Sequence, residues 1–239
     1  MSLKKHIPNT ITSMNLLSGI LGVICAVYSM PQWGLICMLA AAVFDFCDGL
    51  AARLLHAQSP IGKELDSLSD MVSFGVLPAL LIMNCMQEHG VPVWLCYSAL
   101  FIAVMSAVRL AKFNVDTRQT TDFLGVATPT CALLSAGLAA YIAGAPDSFL
   151  AHWAGTVWFL PLYSLVMGLL LVSEIPMFGM KVAPGHKLLD FKRILFLILA
   201  VAAIVLGLAV KRSIGLAILL VFAIYLVENL ILYILPAKK

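Results

Sequence analysis

The sequence predicts an all-α fold, a polytopic membrane helical bundle of about eight transmembrane helices, and three observations carry that prediction. Of the 239 residues, 62% are apolar and only 11% charged, against roughly half and a quarter in water-soluble domains, and the mean hydropathy is +1.01. This composition excludes a water-soluble enzyme, a disordered tail and a nucleic-acid-binding module, so nucleic acid is not an expected partner. The apolar residues also fall into runs of about 20, the number that crosses a roughly 30 Å hydrocarbon core at 1.5 Å per residue. Finally, the cations segregate to alternate links between those runs.

Taken in order, the runs between charged or Pro/Gly breaks cover about 11–30, 33–54, 65–87, 92–112, 125–144, 154–173, 192–210 and 213–235. An even number returns both termini to one side. With the amino terminus inside, the inner side collects Lys4, Lys5, Arg53, Lys63, Arg109, Lys112, Arg118, Lys181, Lys187, Lys192, Arg193, Lys238 and Lys239, and the outer side only Lys211 and Arg212. The positive-inside rule then assigns both termini to the cytoplasm. Lys4 and Lys5 before an apolar run resemble the start of a signal peptide. Pro8 and Asn9 interrupt that run, however, and no A-x-A-like site ends it, so a retained first span is expected. Leu3, Ile7 and Ile11 recur at helical spacing beside the lysines, so residues 2–12 are expected to lie along the interface before the chain turns in. The whole of 1–239 is expected to form one integral membrane domain, with the chemistry in 1–145 and further spans in 146–239.

Six cysteines, Cys25, Cys37, Cys47, Cys85, Cys96 and Cys131, are scattered through the spans without a C-x-x-C pair, which offers neither a disulfide framework nor a zinc site. The five histidines sit mostly at span ends and are assigned to no metal. The acids behave differently: seven of the 26 residues from Asp45 to Asp70 are charged. Asp45 and Asp48 are spaced i, i+3 at the end of the second span, and Asp66 and Asp70 i, i+4 at the start of the third, so each pair shares one helix face. The short link through Gln58-Ser59-Pro60 and Gly62 makes the two helices antiparallel neighbours whose carboxylates face each other across a groove.

Four carboxylates in one groove repel one another and are costly to desolvate; cations remove that cost. Hard ions such as Mg²⁺ or Mn²⁺ take carboxylate oxygens together with substrate phosphates, and two of them form a clamp for in-line phosphoryl displacement. Gly49 would let a flat base or a phosphate approach the backbone, and Arg53 offers a fork of donors to a phosphate. Lys63, Glu64 and Asp122 are expected to be ordinary solvated residues at span ends.

The pattern D-x-x-D-G-x-x-A-R-x8-G-x3-D-x3-D, filled by Asp45, Asp48, Gly49, Ala52, Arg53, Gly62, Asp66 and Asp70, resembles the signature of the CDP-alcohol phosphotransferases. The resemblance implies that family's membrane fold, commonly homodimeric, and an enzyme that attacks a CDP-linked lipid with a second alcohol and releases CMP. It further implies divalent ions, Mg²⁺ or Mn²⁺ and two of them, on Asp45, Asp48, Asp66 and Asp70, with Asp70 the base for the nucleophile's proton. A metal-bound carboxylate stays ionised and is a weak base for an alcohol, which favours the metal role of Asp70. Gly49, Ala52, Arg53, Gly62, Asn9 and Thr12 would then bind the nucleotide and diphosphate, and Asn15, one turn on, would join them.

The flanks, His6-Ile-Pro8-Asn9-Thr-Ile-Thr12, Ser73-Phe74-Gly75 and Arg109-Leu-Ala-Lys112-Phe113-Asn114, are similar to those of the bacterial and archaeal phosphatidylserine synthases within that family. This likeness, over roughly the first 130 residues, implies CDP-diacylglycerol and L-serine as substrates, membrane lipids as surroundings, and Arg109, Lys112 and Asn114 as serine or phosphate ligands. Gly125-Val-Ala-Thr128-Pro129 departs from the Leu-Pro-x-Pro form expected there, and Ser69 stands where alanine is common. Acceptors such as glycerol 3-phosphate or an inositol phosphate demand extra cations. A cation transporter would spread its acids along several spans at the midplane instead of gathering them at one edge. The carboxyl-terminal spans, where Glu174, Asp190 and Glu228 stand alone, carry no comparable constellation, and the cationic loop from Pro176 to Arg193 suits an anionic lipid surface.

Overall fold

The computed structural model describes residues 6–115, 123–177, 191–211 and 213–234. Its helices are α1 (His6–Val27), α2 (Pro31–Leu54), α3 (Pro60–Glu88), α4 (Val93–Val115), α5 (Thr128–Gly144), the short α6 (Phe149–Ala154), α7 (Phe159–Val172), α8 (Phe191–Lys211) and α9 (Ile214–Ile234). Strands β1 (Phe123–Leu124) and β2 (Pro176–Met177) pair antiparallel and tie the start of α5 to the end of α7. Five helices, α1 to α4 and α9, are long and apolar enough to cross a membrane, and α5, α7 and part of α8 are shorter apolar helices. These helices make the chain an integral membrane protein and match the eight apolar runs. Lys4, Lys5, Arg118, Asp122, Lys181, Lys187, Asp190, Arg212, Lys238 and Lys239 lie outside the described residues, as does most of the cationic loop from Pro176 to Arg193.

Two boundaries differ from expectation. From His6 onward the chain is already inside α1, continuous with the first span, so no turn separates an interfacial segment from it among the described residues. Helix α3 begins at Pro60 rather than near residue 65, because Ser59 caps it: the Ser59 hydroxyl accepts the Gly62 N–H at 3.1 Å, and Pro60 occupies the first turn, where no N–H is needed.

Helix α1 is built inside out. Its buried residues are Pro8, Thr12, Asn15, Gly19, Gly22 and Ala26, at alternating spacings of four and three, with Ser18 beside them, and from Thr12 onward all are polar or small, while Met14, Leu17, Leu21 and Ile24 are exposed. In a bilayer, large apolar side chains are as well solvated by lipid as by protein, so small and polar residues form the helix contacts. Gly22 and Ala26 are buried in this seam, and Ala136 and Ala140 are buried on α5; these small residues serve packing within the chain.

Helix α3 changes winding along its length. It is α-helical over Pro60–Asp70, π-helical over Met71–Val76 and α-helical again over Leu77–Glu88, and the Leu77 N–H reaches back five residues to the Val72 carbonyl. Pro78 supplies the reason: it has no N–H for the Phe74 carbonyl, and its ring crowds that carbonyl in an ordinary α-helix. The wider turn relieves the clash and directly follows Asp70.

Helices α5 and α9 meet backbone to backbone. A Cβ on Gly137 would stand 2.9 Å from the Leu219 nitrogen, and one on Gly215 2.9 Å from the Tyr141 nitrogen. Neither neighbour can rotate away, so Gly137→Ala is expected to destabilise the fold by about 1–3 kcal/mol through overpacking. Gly49→Ala, where the added Cβ meets nothing within 4 Å, should be neutral or stabilising through helix propensity. Thermal unfolding of the two variants in one detergent checks the contrast.

Candidate active site

Helix α1 packs against both α2 and α3, so the groove between the two aspartate pairs has α1 as its floor. Asp45 and Asp48 enter from the last turns of α2, and Asp66 and Asp70 from the first turns of α3. One carboxylate oxygen each from Asp45, Asp48 and Asp66 lies within 4.8 Å of the other two, a group that could hold a metal ion. Asp45 and Asp66 are within electrostatic reach of each other, and the Thr12 hydroxyl lies against Asp48. Asp48 Oδ2 and Asp66 Oδ1 are buried without a hydrogen-bond partner among the described residues. Buried carboxylate oxygens left unpaired cost several kcal/mol; a hard cation matches both their charge and their chemistry. The donor set therefore fits a divalent ion.

Asp70 stands outside that group of three. It is 9% exposed, it interacts electrostatically with Asp45, Asp66 and Asp48, and its Oδ1 accepts the Asn15 side-chain amide at 3.1 Å. Asn15 was expected beside Asn9 and Thr12 at the nucleotide; it turns instead toward Asp70. The signal was present in the sequence as the 12, 15, 19, 22 stripe of polar and small residues, which hydropathy alone passes over.

A cavity of about 520 Å³ opens beside the carboxylates, lined among others by Asn9, Thr12, Asp48, Gly49, Ala52, Gly62, Lys63 and Asp66. Asn15 apart, the structure thus brings together five of the six residues expected at the nucleotide and diphosphate. Arg53 is the sixth; it is exposed and lines an adjoining hollow with Ala52, His56 and Gln58. The space in front of Gly49 is open, whereas a Cβ on Gly62 would come within 3.0 Å of Asn9 Oδ1 and Ser59 Oγ. Gly49 therefore keeps room in the cavity, and Gly62 lets α3 close on α1.

The three residues expected at the acceptor separate. Arg109 is 7% exposed; its Nη1 donates to Thr128 Oγ1 at 3.4 Å and its guanidinium carbon is 6.0 Å from the Phe113 ring centre. Its Nε and Nη2 have no hydrogen-bond partner among the described residues, and Asp70 and Tyr225 are within electrostatic reach. Lys112 is exposed. Asn114 donates from its side chain to Ser67 Oγ at 2.8 Å, and its carbonyl accepts Lys63 Nζ at 2.9 Å. Lys63, expected to be an ordinary solvated residue, thus fastens the end of α4 to α3 and lines the cavity. Thr128, the Arg109 partner that sequence reasoning missed, is placed by the loop departing from the expected form: Gly125 takes φ +74° there, its N–H bonds the Ile175 carbonyl, and the Val126 N–H bonds that of Leu170.

A model of the CDP-alcohol phosphatidyltransferase family matches residues 5–163. Over 178 residues the chain is 34% identical to a CDP-diacylglycerol–serine O-phosphatidyltransferase of Mycobacterium bovis, an alignment covering 72% of this chain and 60% of that protein. Proteins of the same description from Methanocaldococcus jannaschii and Bacillus subtilis are 30% and 33% identical over 169 and 124 residues. These alignments cover 71% and 52% of this chain, and 72% and 70% of the respective relatives. The chain spans about 60% of the length of the mycobacterial relatives it matches.

The crowding of Asp45, Asp48 and Asp66 gives a stability prediction whose sign depends on the ions present. In chelator, Asp66→Asn removes repulsion and should raise the unfolding midpoint by about 2–4 °C, the shift that ~1 kcal/mol produces in a chain of this size. With Mn²⁺ added the parent should gain and overtake the variant, and a thermal scan in both buffers checks the inversion.

Proposed function

The chain belongs to the CDP-alcohol phosphatidyltransferase family, and on that premise we propose that it transfers the phosphatidyl group of CDP-diacylglycerol to L-serine and releases CMP. The observation that carries the proposal is the gathering of Asp45, Asp48 and Asp66 within 4.8 Å beside a cavity that Asp48 and Asp66 line, with buried Arg109 on the Asp70 side. We assign the divalent ions, two of Mg²⁺ or Mn²⁺, to Asp45, Asp48 and Asp66 with Asp70 at their edge; when bound, they offset charge on the diphosphate during displacement. Asn9, Thr12, Gly49, Ala52 and Gly62 form the nucleotide and diphosphate wall, and Arg53 holds a phosphate oxygen at its rim. One domain spans 1–239, with 1–145 carrying the chemistry, and the protein acts as a homodimer in a bacterial or archaeal cytoplasmic membrane. Both termini and the site face the cytoplasm, where serine is dissolved, while the acyl chains of the donor stay among membrane lipids.

In the reaction, the serine hydroxyl oxygen bonds to the diacylglycerol-linked phosphorus and the bond from that phosphorus to the bridging oxygen breaks. CMP leaves with the electron pair, and the hydroxyl proton passes to Asp70. The separation of Asp70 from the close group of three supports a base role beside the metal role. The free edge of Arg109, Nε with Nη2, is the fork that a serine carboxylate takes in two parallel hydrogen bonds. Asn114, already bonded to Ser67, shapes the wall, and exposed Lys112 adds positive charge at the mouth.

CMP release by the purified protein tests the reading, with CDP-diacylglycerol, Mn²⁺ and either L-serine, glycerol 3-phosphate or an inositol phosphate. Release with serine alone is expected; release with glycerol 3-phosphate and not serine contradicts it. Arg109→Lys keeps the charge and loses the fork, so the KM for serine should rise at least about tenfold, the equivalent of ~1.4 kcal/mol, while the KM for CDP-diacylglycerol stays within about twofold.

A further inference from the structure

Between α1 and α3 lies a buried polar seam that the proposed chemistry has not used. Asn15, Ser69 and Ser73 are all fully buried. Ser73 Oγ donates to Asn15 Oδ1 at 2.8 Å, and Asn15 Nδ2 donates to Asp70 Oδ1 at 3.1 Å. One turn away, the Ser69 hydroxyl lies 3.3 Å from the Thr12 carbonyl and 2.8 Å from that of Leu65.

Each bond in the series fixes the next. An ionised carboxylate can only accept, so Asp70 selects the NH₂ edge of the Asn15 amide, and the amide oxygen, which also only accepts, is left facing the Ser73 hydroxyl that donates to it. The Ser73 hydroxyl, which also lies 3.2 Å from the Asn15 carbonyl, braces the amide in the orientation that Asp70 requires. Had the amide been turned over, its oxygen would face carboxylate oxygen. Two backbone features bring Ser73 within reach. It sits in the π-helical turn Met71–Val76, which shifts the register of every later side chain of α3, and it faces Gly19, where any Cβ would collide with the Ser73 side chain.

We propose that Asn15 is a positioning residue for the transfer reaction: locked by Ser73, it holds Oδ1 of Asp70 and so presents Oδ2 toward the acceptor hydroxyl. The proposal rests on the reading of Asp70 as the proton acceptor. It makes the π-helical turn part of the catalytic apparatus, since an α-helical turn would carry Ser73 around the helix and release the amide. Asn15 itself touches no substrate, so its loss slows the chemical step and leaves binding intact.

The test compares Asn15→Leu, Ser73→Ala and the double variant, purified in detergent, against the parent. Turnover is read as CMP release with whichever acceptor alcohol supports it, so a wrong choice of acceptor does not disturb the comparison. Absence of release from the parent with every acceptor would defeat the underlying reading before any variant is examined. For Asn15→Leu the expected result is a kcat lowered at least about 30-fold, with the KM for CDP-diacylglycerol and the Mn²⁺ dissociation constant, read by electron paramagnetic resonance, both within about threefold. Ser73→Ala should lower kcat about 3- to 10-fold, and adding it to Asn15→Leu should cost less than a further twofold, because both act through one hydrogen-bonded series. A kcat within threefold of the parent for either single variant overturns the proposal. So does a loss of Mn²⁺ affinity that matches the loss of kcat. Should Asn15→Leu fail to fold, Ser73→Ala, which deletes a single oxygen, decides the matter by the same split.

Discussion

The interaction on which the structure depends is the mutual repulsion of Asp45, Asp48 and Asp66, crowded within 4.8 Å and partly sealed from water. In a chain with so few charges, three carboxylates in such proximity oppose folding unless something compensates them. The surrounding elements read as devices for holding that arrangement in place. Ser59 and Pro60 start α3 early enough to bring Asp66 opposite Asp48. Thr12 lies on Asp48, Asn15 holds Asp70, and Lys63 with Asn114 fastens the far wall. Removing solvent from the groove strengthens both the repulsion and the affinity for a cation, so the cost in folding and the capacity for binding have one origin.

Around this centre the site is polarised. The cavity with Asn9, Gly49 and Ala52 lies on the side of Asp48 and Asp66, while buried Arg109 is within electrostatic reach of Asp70. A donor on the first side and an acceptor on the second would meet at the carboxylates, which is the arrangement in-line displacement demands. The carboxyl-terminal helices share in this: α9 packs on α5, and its Tyr225 is within reach of Arg109. Read from composition, those helices carried no chemistry, because proximity across 100 residues leaves no local trace.

What the sequence made legible follows from how far each signal reaches along the chain. Apolar runs of span length, and the spacing of four aspartates on two helix ends, are local patterns, and the helices and the clustered carboxylates follow them closely. The start of α3 was placed late because hydropathy counts from the first apolar residue, whereas the cap at Ser59 sets the helix from outside the run. The π-helical turn was hidden for another reason. Pro78 announces a disturbance, but whether a helix kinks, breaks or widens depends on what packs against it, here Gly19 and Ser106 near Ser73 and Gly75. Asn15 was assigned to the nucleotide by its nearness to Asn9 and Thr12, yet in a helix three further residues turn a side chain nearly onto the same face and one turn deeper, where Asp70 lies.

A cation site at Asp45, Asp48 and Asp66 must bind a divalent ion through those carboxylates. Mn²⁺ titration of the purified chain in detergent, followed by the electron paramagnetic resonance signal of free Mn²⁺, tests it without any substrate or turnover. The expected result is saturable binding in the parent that weakens at least about 100-fold, beyond the range typical of lost outer-shell contacts, in Asp48→Asn and in Asp66→Asn, with Arg109→Lys binding as the parent does. Equal Mn²⁺ affinity in the parent and the two aspartate variants would contradict it.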